Sequence, residues 1–313
     1  MVRKSRQEPA RQSVDDAIDA FVAHQGARIS PTTAKNFYGY PLRALLLPFC
    51  RQEGIGSLDE LSPDAVDRFA ASLYGRTTRL GKPISRHTVL AYLKATKHFL
   101  AWGQDQGLPL VSEQLRLPQS RRIRRDVLTP AEVDRLEEAA RSDRDRLIIR
   151  LMAETGMREG EVANLRIPDL VAKEGRYFFL CVRGKTGQRM VPIRAAMYRR
   201  LRAYVEGKTG RPRLRSDRVF IAERRRPGGD YEPLTEDGIY RAIKYAVARS
   251  GIERRIYPHL LRHTAITDLA ARRRLHPGLV SEITGVSVQV ISQHYLHPTQ
   301  EETWEAVMRA LDS

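Results

Sequence analysis

Residues 176–193 read RYFFLCVRGKTGQRMVPI, and this stretch decides the fold class of the chain. Its two arms, 176–182 and 188–193, are rich in residues that favour strands, and they flank the turn sequence RGKTG at 183–187. Two short runs of this kind around a glycine-containing turn predict a β-hairpin. Because apolar residues return to helical spacing on both sides of the hairpin, we expect a mainly α fold with a small antiparallel β-sheet.

Hydroxyl side chains and prolines mark the helix starts. Ser13 can cap a helix, while Ser30, Ser62 and Thr129 each precede a proline that suits the first helical position. We expect the helix over 31–52 to be bent or broken at its two prolines. The other predicted helices begin at 13 and 85 and cover 63–74, 130–141, 143–155, 159–165, 195–206, 235–250, 258–273, 277–284, 287–294 and 300–311.

The order of these elements predicts two domains joined by a basic linker. We expect residues 1–12 to form a disordered basic tail, 13–108 a compact helical domain, and 128–313 a second domain that mixes helices with the hairpin. Residues 109–127 contain two prolines and a run of four arginines, Arg121, Arg122, Arg124 and Arg125. In a strongly basic protein, such a run between two domains favours phosphate contact over a merely solvated face.

The net charge of the 313 residues is +17, and the sequence pI is about 10.2. Such an excess of positive charge favours nucleic acid as the partner. Codon usage can explain why arginine outnumbers lysine, but it does not explain the net charge. The longest apolar runs fall short of the roughly 20 residues of a membrane span, and the basic N-terminus lacks a signal segment. We therefore expect a cytoplasmic, nucleoid-associated protein without membrane contact.

The two cysteines, Cys50 and Cys181, are far apart in sequence and have no partner at metal-ligand spacing. We expect each to be a buried, reduced thiol rather than part of a disulfide or a zinc site. The sequence also lacks a carboxylate cluster suited to Mg²⁺. We therefore expect no cofactor and no bound metal.

Four separate segments place charged, histidine and tyrosine side chains near turns and helix starts. They are TGMREGEVANL at 155–165, RGKTG at 183–187, PHLLRH at 258–263 and QHYLHP at 293–298. Their candidate residues are Arg158, Glu161, Lys185, His259, Arg262, His263 and Tyr295. Taken singly, most of these residues are more typical of structural positions. The combination, in this order, points to one site for chemistry on a phosphate anion.

In combination the segments resemble the tyrosine recombinase (phage integrase) family. The family pattern has G-x-R-x-x-E-x-x-x-L, a lysine in a hairpin turn, H-x-x-R-H, and a glycine ten residues before the tyrosine of a Y-L-H triplet. The chain matches this order, with Gly285 preceding Tyr295 by ten residues. The resemblance covers about 13–311. It implies a Xer-like or minimal integrase architecture, in which a helical, SAM-like core-binding domain and a catalytic domain clamp DNA.

The resemblance implies a binding role for three of these residues. Arg158 and Arg262 would hold the non-bridging oxygens of the scissile phosphate through forked, charge-assisted hydrogen bonds. Glu161, three residues after Arg158, would orient its guanidinium.

The other matched residues would carry the covalent step. Tyr295 would attack phosphorus and form a 3′-phosphotyrosyl intermediate. Lys185 would protonate the departing 5′-hydroxyl, His259 would assist the tyrosine or donate to the phosphate, and His263 would support the site. Because the phosphotyrosine keeps the bond energy, resealing would need neither ATP nor metal.

One position departs from the family pattern. The residue after the motif glycine is usually His or Trp and donates a hydrogen bond to the scissile phosphate, whereas here it is Val286. Loss of one such donor can slow the reaction on the order of a hundredfold. Either His294 or His297 compensates, or the enzyme is slow and depends on assembly.

The resemblance also implies partners. Four protomers would assemble on two double-stranded DNA sites and exchange strands through a Holliday junction, with accessory DNA-bending proteins as compatible partners. The last helix, over 300–311, is amphipathic and would dock onto a neighbouring protomer in exchange; its alternative is packing within the same chain.

Two other functions remain open at the level of the sequence. One is a catalytically weakened or inactive DNA-binding protein, since residues 280–293 also resemble a helix-turn-helix. The other is a type IB topoisomerase, which shares the tyrosine chemistry. Neither the target sequence nor the choice among integration, excision, inversion and dimer resolution follows from these residues.

Overall fold

The computed structural model describes residues 12–78, 80–107, 115, 117, 126–184, 187–209, 211, 216–225, 231–296, 304, 307 and 308. The chain divides into two compact units, Met1–Arg121 and Arg122–Ser313, each with its own apolar core. Within the described ranges, no helix combines the length and the apolar character that crossing a membrane requires.

The helices of the first unit begin where the serine signals predict. Ser13, Ser30, Ser62 and Ser85 each accept a hydrogen bond from the backbone N–H three residues further on. This bond satisfies one of the donors that the first turn of a helix leaves unpaired. The helices are α1 (Val14–Gly26), α2 (Pro31–Ala34), α3 (Leu47–Gln52), α4 (Pro63–Tyr74) and α5 (Arg86–Asp105).

The helix over 31–52, predicted to be bent or broken at its prolines, is not broken, since the helical path from α2 to α3 is continuous. Two π-helical turns, Lys35–Gly39 and Leu42–Leu46, lead from α2 into α3, and Pro41 stands between them. In an α-helix a proline ring clashes with the carbonyl four residues back, and the wider π turn relieves this crowding. Pro48 lies in the first turn of α3, where its missing N–H matters little.

Aromatic side chains form the centre of the first core. The ring of Phe21 in α1 lies 5.2 Å from Tyr38, 5.4 Å from Phe99 and 5.7 Å from Trp102, measured between centroids. Burying one side chain of this kind contributes about 1.5–3 kcal/mol. The packing of Phe21 therefore holds α1 against α5 and the π-helical segment.

The second unit contains the predicted hairpin. β2 (Tyr177–Gly184) and β3 (Gly187–Ile193) pair antiparallel, and β1 (Leu170–Lys173) adds to the other side of β2. A separate two-stranded ribbon consists of β4 (Ile221–Arg225) and β5 (Tyr231–Pro233). The predicted fold class, mainly α with a small antiparallel sheet, is confirmed. The sequence-based prediction missed β1 and the β4–β5 ribbon.

Eight helices of the second unit are described with both of their ends. They are α6 (Pro130–Ala139), α7 (Asp143–Thr155), α8 (Glu159–Ala163), α9 (Ala195–Val205), α10 (Glu236–Arg249), α11 (Pro258–Thr267), α12 (Pro277–Thr284) and α13 (Val288–His294). α11 packs against α7, and α12 packs against β3 and α13. The residues after Thr267 continue α11 as a π-helical turn, Asp268–Arg272.

Two left-handed glycines end the helices that lead into the candidate site. Gly156 follows α7 with φ 67°, and Gly285 follows α12 with φ 64°. Glycine suits both positions because it adopts positive φ without a steric penalty. A Cβ at Gly156 would also come within 3.4 Å of the Ala265 Cβ on α11. The end of α7 and the middle of α11 are therefore in close contact.

The start of α6 is held by a cluster of charged groups. Glu132 accepts a hydrogen bond from the backbone N–H of Thr129 at 2.7 Å, completing a capping box. Arg254 donates to the two Glu132 oxygens at 2.8 and 2.7 Å and to the Val127 carbonyl at 2.8 Å. The hydrogen bonds from Arg254 are the main reason that the pKa of Glu132 falls to about 2.

Candidate active site

Arg158 is the N-cap residue of α8, directly after the turn that ends α7. Its backbone N–H donates to Glu161 Oε2 at 2.8 Å, and its Nη1 donates to Glu161 Oε1 at 2.9 Å. Its Nη2 donates to the Gly285 carbonyl at 3.0 Å. These contacts hold the guanidinium at the surface of the unit, where its side chain is partly exposed. The expected contact between Glu161 and Arg158 is present.

Arg262 on α11 is enclosed, with 3% of its surface exposed. Its Nη1 donates to the Gly156 carbonyl, and its Nη2 donates to the Thr284 carbonyl at 2.8 Å. Two backbone carbonyls therefore fix the guanidinium between the end of α7 and the end of α12.

The pKa of Arg262 is lowered to about 10, and burial is the main cause. The positive charge of Arg158 is the second cause, while Glu161 opposes the shift. Tyr295 also opposes it, which puts the phenol within electrostatic reach of this guanidinium. An anion beside Arg262 would relieve the cost of holding an uncompensated charge in a buried place.

A cleft of about 490 Å³ brings several of the candidate residues together. Arg158, Glu161, His259 and Arg262 line it, and so does Gly184, the last residue of β2. The contributions come from α8, α11 and β2, which are far apart in the sequence. Such a cleft, with two guanidiniums in its wall, can bind a phosphate diester.

Tyr295 does not line this cleft. It follows α13 as the C-cap residue and is 6% exposed, within a small apolar cluster that includes Ile266 and Ile291. Its hydroxyl is in hydrogen-bond contact with Nδ1 of His263. The ring of His263 contacts the ring of His259 edge-on, with centroids 4.5 Å apart. A row of two histidine rings thus leads from the phenol to the cleft wall.

Arg189 on β3 is a site residue that the sequence-based prediction missed. Its Nη1 and Nη2 donate to the two oxygens of Glu161 at 2.8 Å each, and its Nε donates to the Ile283 carbonyl at 2.8 Å. Burial of Glu161 would raise its pKa, but Arg189 and the backbone N–H of Arg158 outweigh burial and lower the pKa. Glu161 is therefore charged and shared between two guanidiniums.

The remaining candidates are only partly covered by the structure. Val286 is half-buried and packs against the cluster that surrounds Tyr295. His294 lies in the last turn of α13. The proposed proton donor Lys185, the alternative donor His297 and the four linker arginines, Arg121, Arg122, Arg124 and Arg125, lie outside the described residues.

Cysteine, histidine and acidic side chains are the usual protein ligands of metal ions. Cys50 and Cys181 are both buried and free, as predicted. Among the residues that the structure covers, His, Cys, Asp and Glu side chains form no group of three that could hold a metal ion.

Comparison with known proteins gives the same assignment as the sequence pattern. The phage integrase family model matches residues 126–302. The tyrosine recombinase XerA of Pyrococcus furiosus is 31% identical over 255 residues, which cover 80% of this chain and 82% of that protein. XerC of Oceanobacillus iheyensis is 29% identical over 313 residues, with 94% of this chain and 95% of that protein covered.

Two solved structures share the fold at lower sequence identity. XerH bound to palindromic difH substrate, in a post-cleavage complex, has a TM-score of 0.73 and 19% identity and covers 96% of this chain and 97% of that chain. A lambda integrase tetramer bound to a Holliday junction has a TM-score of 0.65 and 17% identity, with 90% and 79% covered. These two likenesses show the fold. The family model and the XerA match confirm the resemblance, and the chain belongs to the phage integrase family of tyrosine recombinases.

Proposed function

We propose that this protein is a site-specific DNA recombinase that cuts and rejoins strands through a 3′-phosphotyrosyl intermediate and a Holliday junction. The observation that carries the proposal is the convergence of Arg158 and Arg262 in one cleft, with the Tyr295 hydroxyl in contact with His263, the residue after Arg262 on α11. A regulator that only binds DNA has no need for a buried guanidinium in such a cleft with a tyrosine hydroxyl held on the same helix.

In the proposed reaction the scissile phosphate enters the cleft between the two arginines. Arg262 is already fixed by two carbonyls and Arg158 by a carboxylate and a carbonyl, so neither has to reorganise much when the anion arrives. Preorganised donors of this kind stabilise charge that develops on phosphate oxygens in the transition state. His259, on the cleft wall, would add a donor to the same phosphate.

The covalent step exchanges one bond to phosphorus for another and moves two protons. A bond forms between Tyr295 Oη and phosphorus, and the bond between phosphorus and the 5′-oxygen breaks. Nδ1 of His263 is in contact with the phenol and would accept its proton, while Lys185 would protonate the departing 5′-oxygen. Because Tyr295 is enclosed in the apolar cluster, its hydroxyl has to leave that cluster to reach the phosphate.

Assembly into a tetramer on two double-stranded sites is part of the proposal. Trp304 is 60% exposed, and Val307 and Met308 are more than half exposed; each of the three is helical. Apolar side chains three and four residues apart lie on one helix face. Burial of this face against a neighbouring protomer would stabilise the assembly. A solved structure with the same fold is of a lambda integrase tetramer bound to a Holliday junction, which supports this part of the proposal.

The finer assignments of the chain remain predictions. We propose residues 13–108 as the core-binding domain, 109–127 as the phosphate-contacting linker and 128–313 as the catalytic domain. Action in the cytoplasm at the nucleoid, with accessory DNA-bending proteins where the site requires them, completes the proposal.

Covalent capture tests the proposed function directly. The purified protein is incubated with a library of nicked duplexes of random sequence, and DNA that remains attached in SDS is sequenced to give the cleavage site. Tyr295→Phe should abolish capture but keep DNA binding in a gel-shift assay. His263→Phe should keep binding and capture DNA more slowly than the unsubstituted protein.

Tyr245→Phe is the matched control, because Tyr245 is an exposed tyrosine whose ring contacts Arg141 in the bend between α6 and α7. It should capture DNA like the unsubstituted protein. If Tyr295→Phe captured DNA as well as the control, the nucleophile would be wrong. Capture by neither protein would favour the DNA-binding alternative. Relaxation of supercoiled plasmid lacking the mapped site would favour a topoisomerase.

A further inference from the structure

The C-terminal carbonyls of α12 are bound by arginines from three distant segments. The last carbonyls of a helix lack partners within the helix and carry the negative end of its dipole, so cations are favourable there. The three bonds run from Arg189 Nε to Ile283 at 2.8 Å, from Arg262 Nη2 to Thr284 at 2.8 Å and from Arg158 Nη2 to Gly285 at 3.0 Å. Two of these arginines line the cleft, and Arg189 does not.

Arg189 is the enclosed member of a pair that shares one carboxylate. Its side chain is 9% exposed and that of Glu161 is 4% exposed, whereas Arg158 is 39% exposed on the cleft side. Arg189 uses both terminal nitrogens on Glu161, while Arg158 uses one terminal nitrogen and its backbone N–H. The stronger, bidentate contact to the carboxylate therefore comes from Arg189.

The space around Glu161 leaves the carboxylate little freedom. A Cβ on Gly184 would lie 2.6 Å from Glu161 Oε1, so the end of β2 closes this side. A buried carboxylate must keep a cationic partner, because an unpaired charge in such a place is costly. If Arg189 were absent, Arg158 would be the guanidinium left on Glu161, and the carboxylate would offset its positive charge.

We propose that Arg189 is a positioning residue of the reaction, which balances the charge of Glu161 and so keeps the positive charge of Arg158 available to the scissile phosphate. This inference rests on the proposed function, because it assigns Arg158 to the phosphate. Arg189 also has a structural role in the site. Its Nε donates to the Ile283 carbonyl and so holds β3 against the end of α12, which lies ten to twelve residues before Tyr295 in the chain.

The test uses four variants and the rate of covalent capture on a nicked duplex that carries the mapped site. Arg189→Gln should lower the single-turnover rate about tenfold or more, since Glu161 then offsets the charge of Arg158. The double variant, with Glu161→Gln added to Arg189→Gln, should recover at least about half of the lost rate on a logarithmic scale. The reason is that the negative charge of Glu161, which offsets Arg158, is then absent. Arg189→Lys keeps the charge and should fall between Arg189→Gln and the unsubstituted protein.

A merely structural role would give another pattern. If Arg189 served packing alone, the double variant would capture DNA no faster than Arg189→Gln, and that result would overturn the inference. If Arg189→Gln does not fold, the comparison moves to the Glu161→Gln background. There, adding Arg189→Gln should change the rate less than about threefold, and a larger loss overturns the inference as well. Failure of the unsubstituted protein to capture DNA would instead reject the proposed function.

Discussion

Val286 follows the left-handed Gly285 and packs, half-buried, beside the cluster that encloses Tyr295. Its isopropyl group has no hydrogen-bond donor, whereas the family pattern has a His or Trp donor at this position. The neighbouring carbonyl of Gly285 is held by Arg158, so the backbone at this position is fixed near the cleft. The missing donor is therefore a matter of side-chain chemistry and not of backbone placement.

Replacing Val286 by His should keep or raise the rate of covalent capture, by up to about a hundredfold if the imidazole reaches the phosphate. The position is half-buried, so the larger ring can turn toward solvent without overpacking the core. The measurement is single-turnover capture on a nicked duplex. Val286→Phe is the control of similar size without a donor and should give no gain. Loss of folding or of DNA binding in Val286→His would contradict the alignment of this segment.

Individual residues differ in how well their roles could be predicted from the sequence. Arg158, His259 and Arg262 are predicted by the match to the family pattern, and their places at a helix start and on one helix face agree with it. Arg189 left a signal that was not used. It shares one face of β3 with the buried Val191, and an arginine on the apolar face of a strand needs a buried carboxylate. The identity of that carboxylate depends on tertiary packing and could not be predicted.

At the scale of an element, α6 shows how a helix start is joined to a distant loop. The capping box of Thr129 and Glu132 is local, but Arg254 comes from the loop before α11 and adds a carbonyl of the preceding segment to the same cluster. Because the Glu132 carboxylate accepts hydrogen bonds from Thr129 and from Arg254, its ionised form stabilises the fold.

Glu132→Gln should lower the free energy of unfolding by about 1–2 kcal/mol at neutral pH, allowing for partial solvent screening. The folded pKa, about 2, lies below the ordinary value of 4.5, so the stabilisation is present above pH 4.5 and is lost as the pH falls toward 2. Urea unfolding at pH 7 and at pH 3 measures the difference between the two proteins. A difference that stays constant or grows on acidification would contradict this account.

Glu206→Gln is a suitable control because Glu206, at the C-terminal end of α9, pairs with Lys208 and Arg202 at an exposed position. Exposed ion pairs contribute little, so this variant should unfold nearly like the unsubstituted protein.

The elements themselves were predicted well where the signal is local. Hydroxyl caps and prolines placed the starts of α2, α4 and α6, and the glycine turn placed β2 and β3. The strand β1 has only four residues, Leu170–Lys173, and forms because β2 offers it an edge. The two strands of the β4–β5 ribbon likewise depend on each other. Short strands are defined by their partners, so their own residues carry too little information.

At the scale of the whole molecule, the charge of +17 predicts DNA binding that weakens steeply with salt. Each phosphate contact contributes about 0.9 to the slope of log K against log salt concentration. Replacing the four linker arginines, Arg121, Arg122, Arg124 and Arg125, by Gln should therefore lower that slope by about 3–4 if all four contact phosphate. The slope is measured by fluorescence anisotropy with a labelled duplex at salt concentrations from about 50 to about 200 mM.

A control with the same change in net charge separates contact from general attraction. Four arginines that already pair with carboxylates on the surface are Arg68, Arg200, Arg202 and Arg241. Their replacement by Gln should change the slope by less than about one. If both fourfold variants lowered the slope equally, the linker would have no special role in phosphate contact.

The placement of Tyr295 also bears on safety inside a cell. If Tyr295 is the nucleophile, as proposed, a phenol with 6% of its surface exposed would not meet the DNA over which an idle copy diffuses. Random encounters along a chromosome would therefore leave its strands intact. Breakage would be confined to the moments when this side chain has swung out, and genome integrity would depend on what makes it do so.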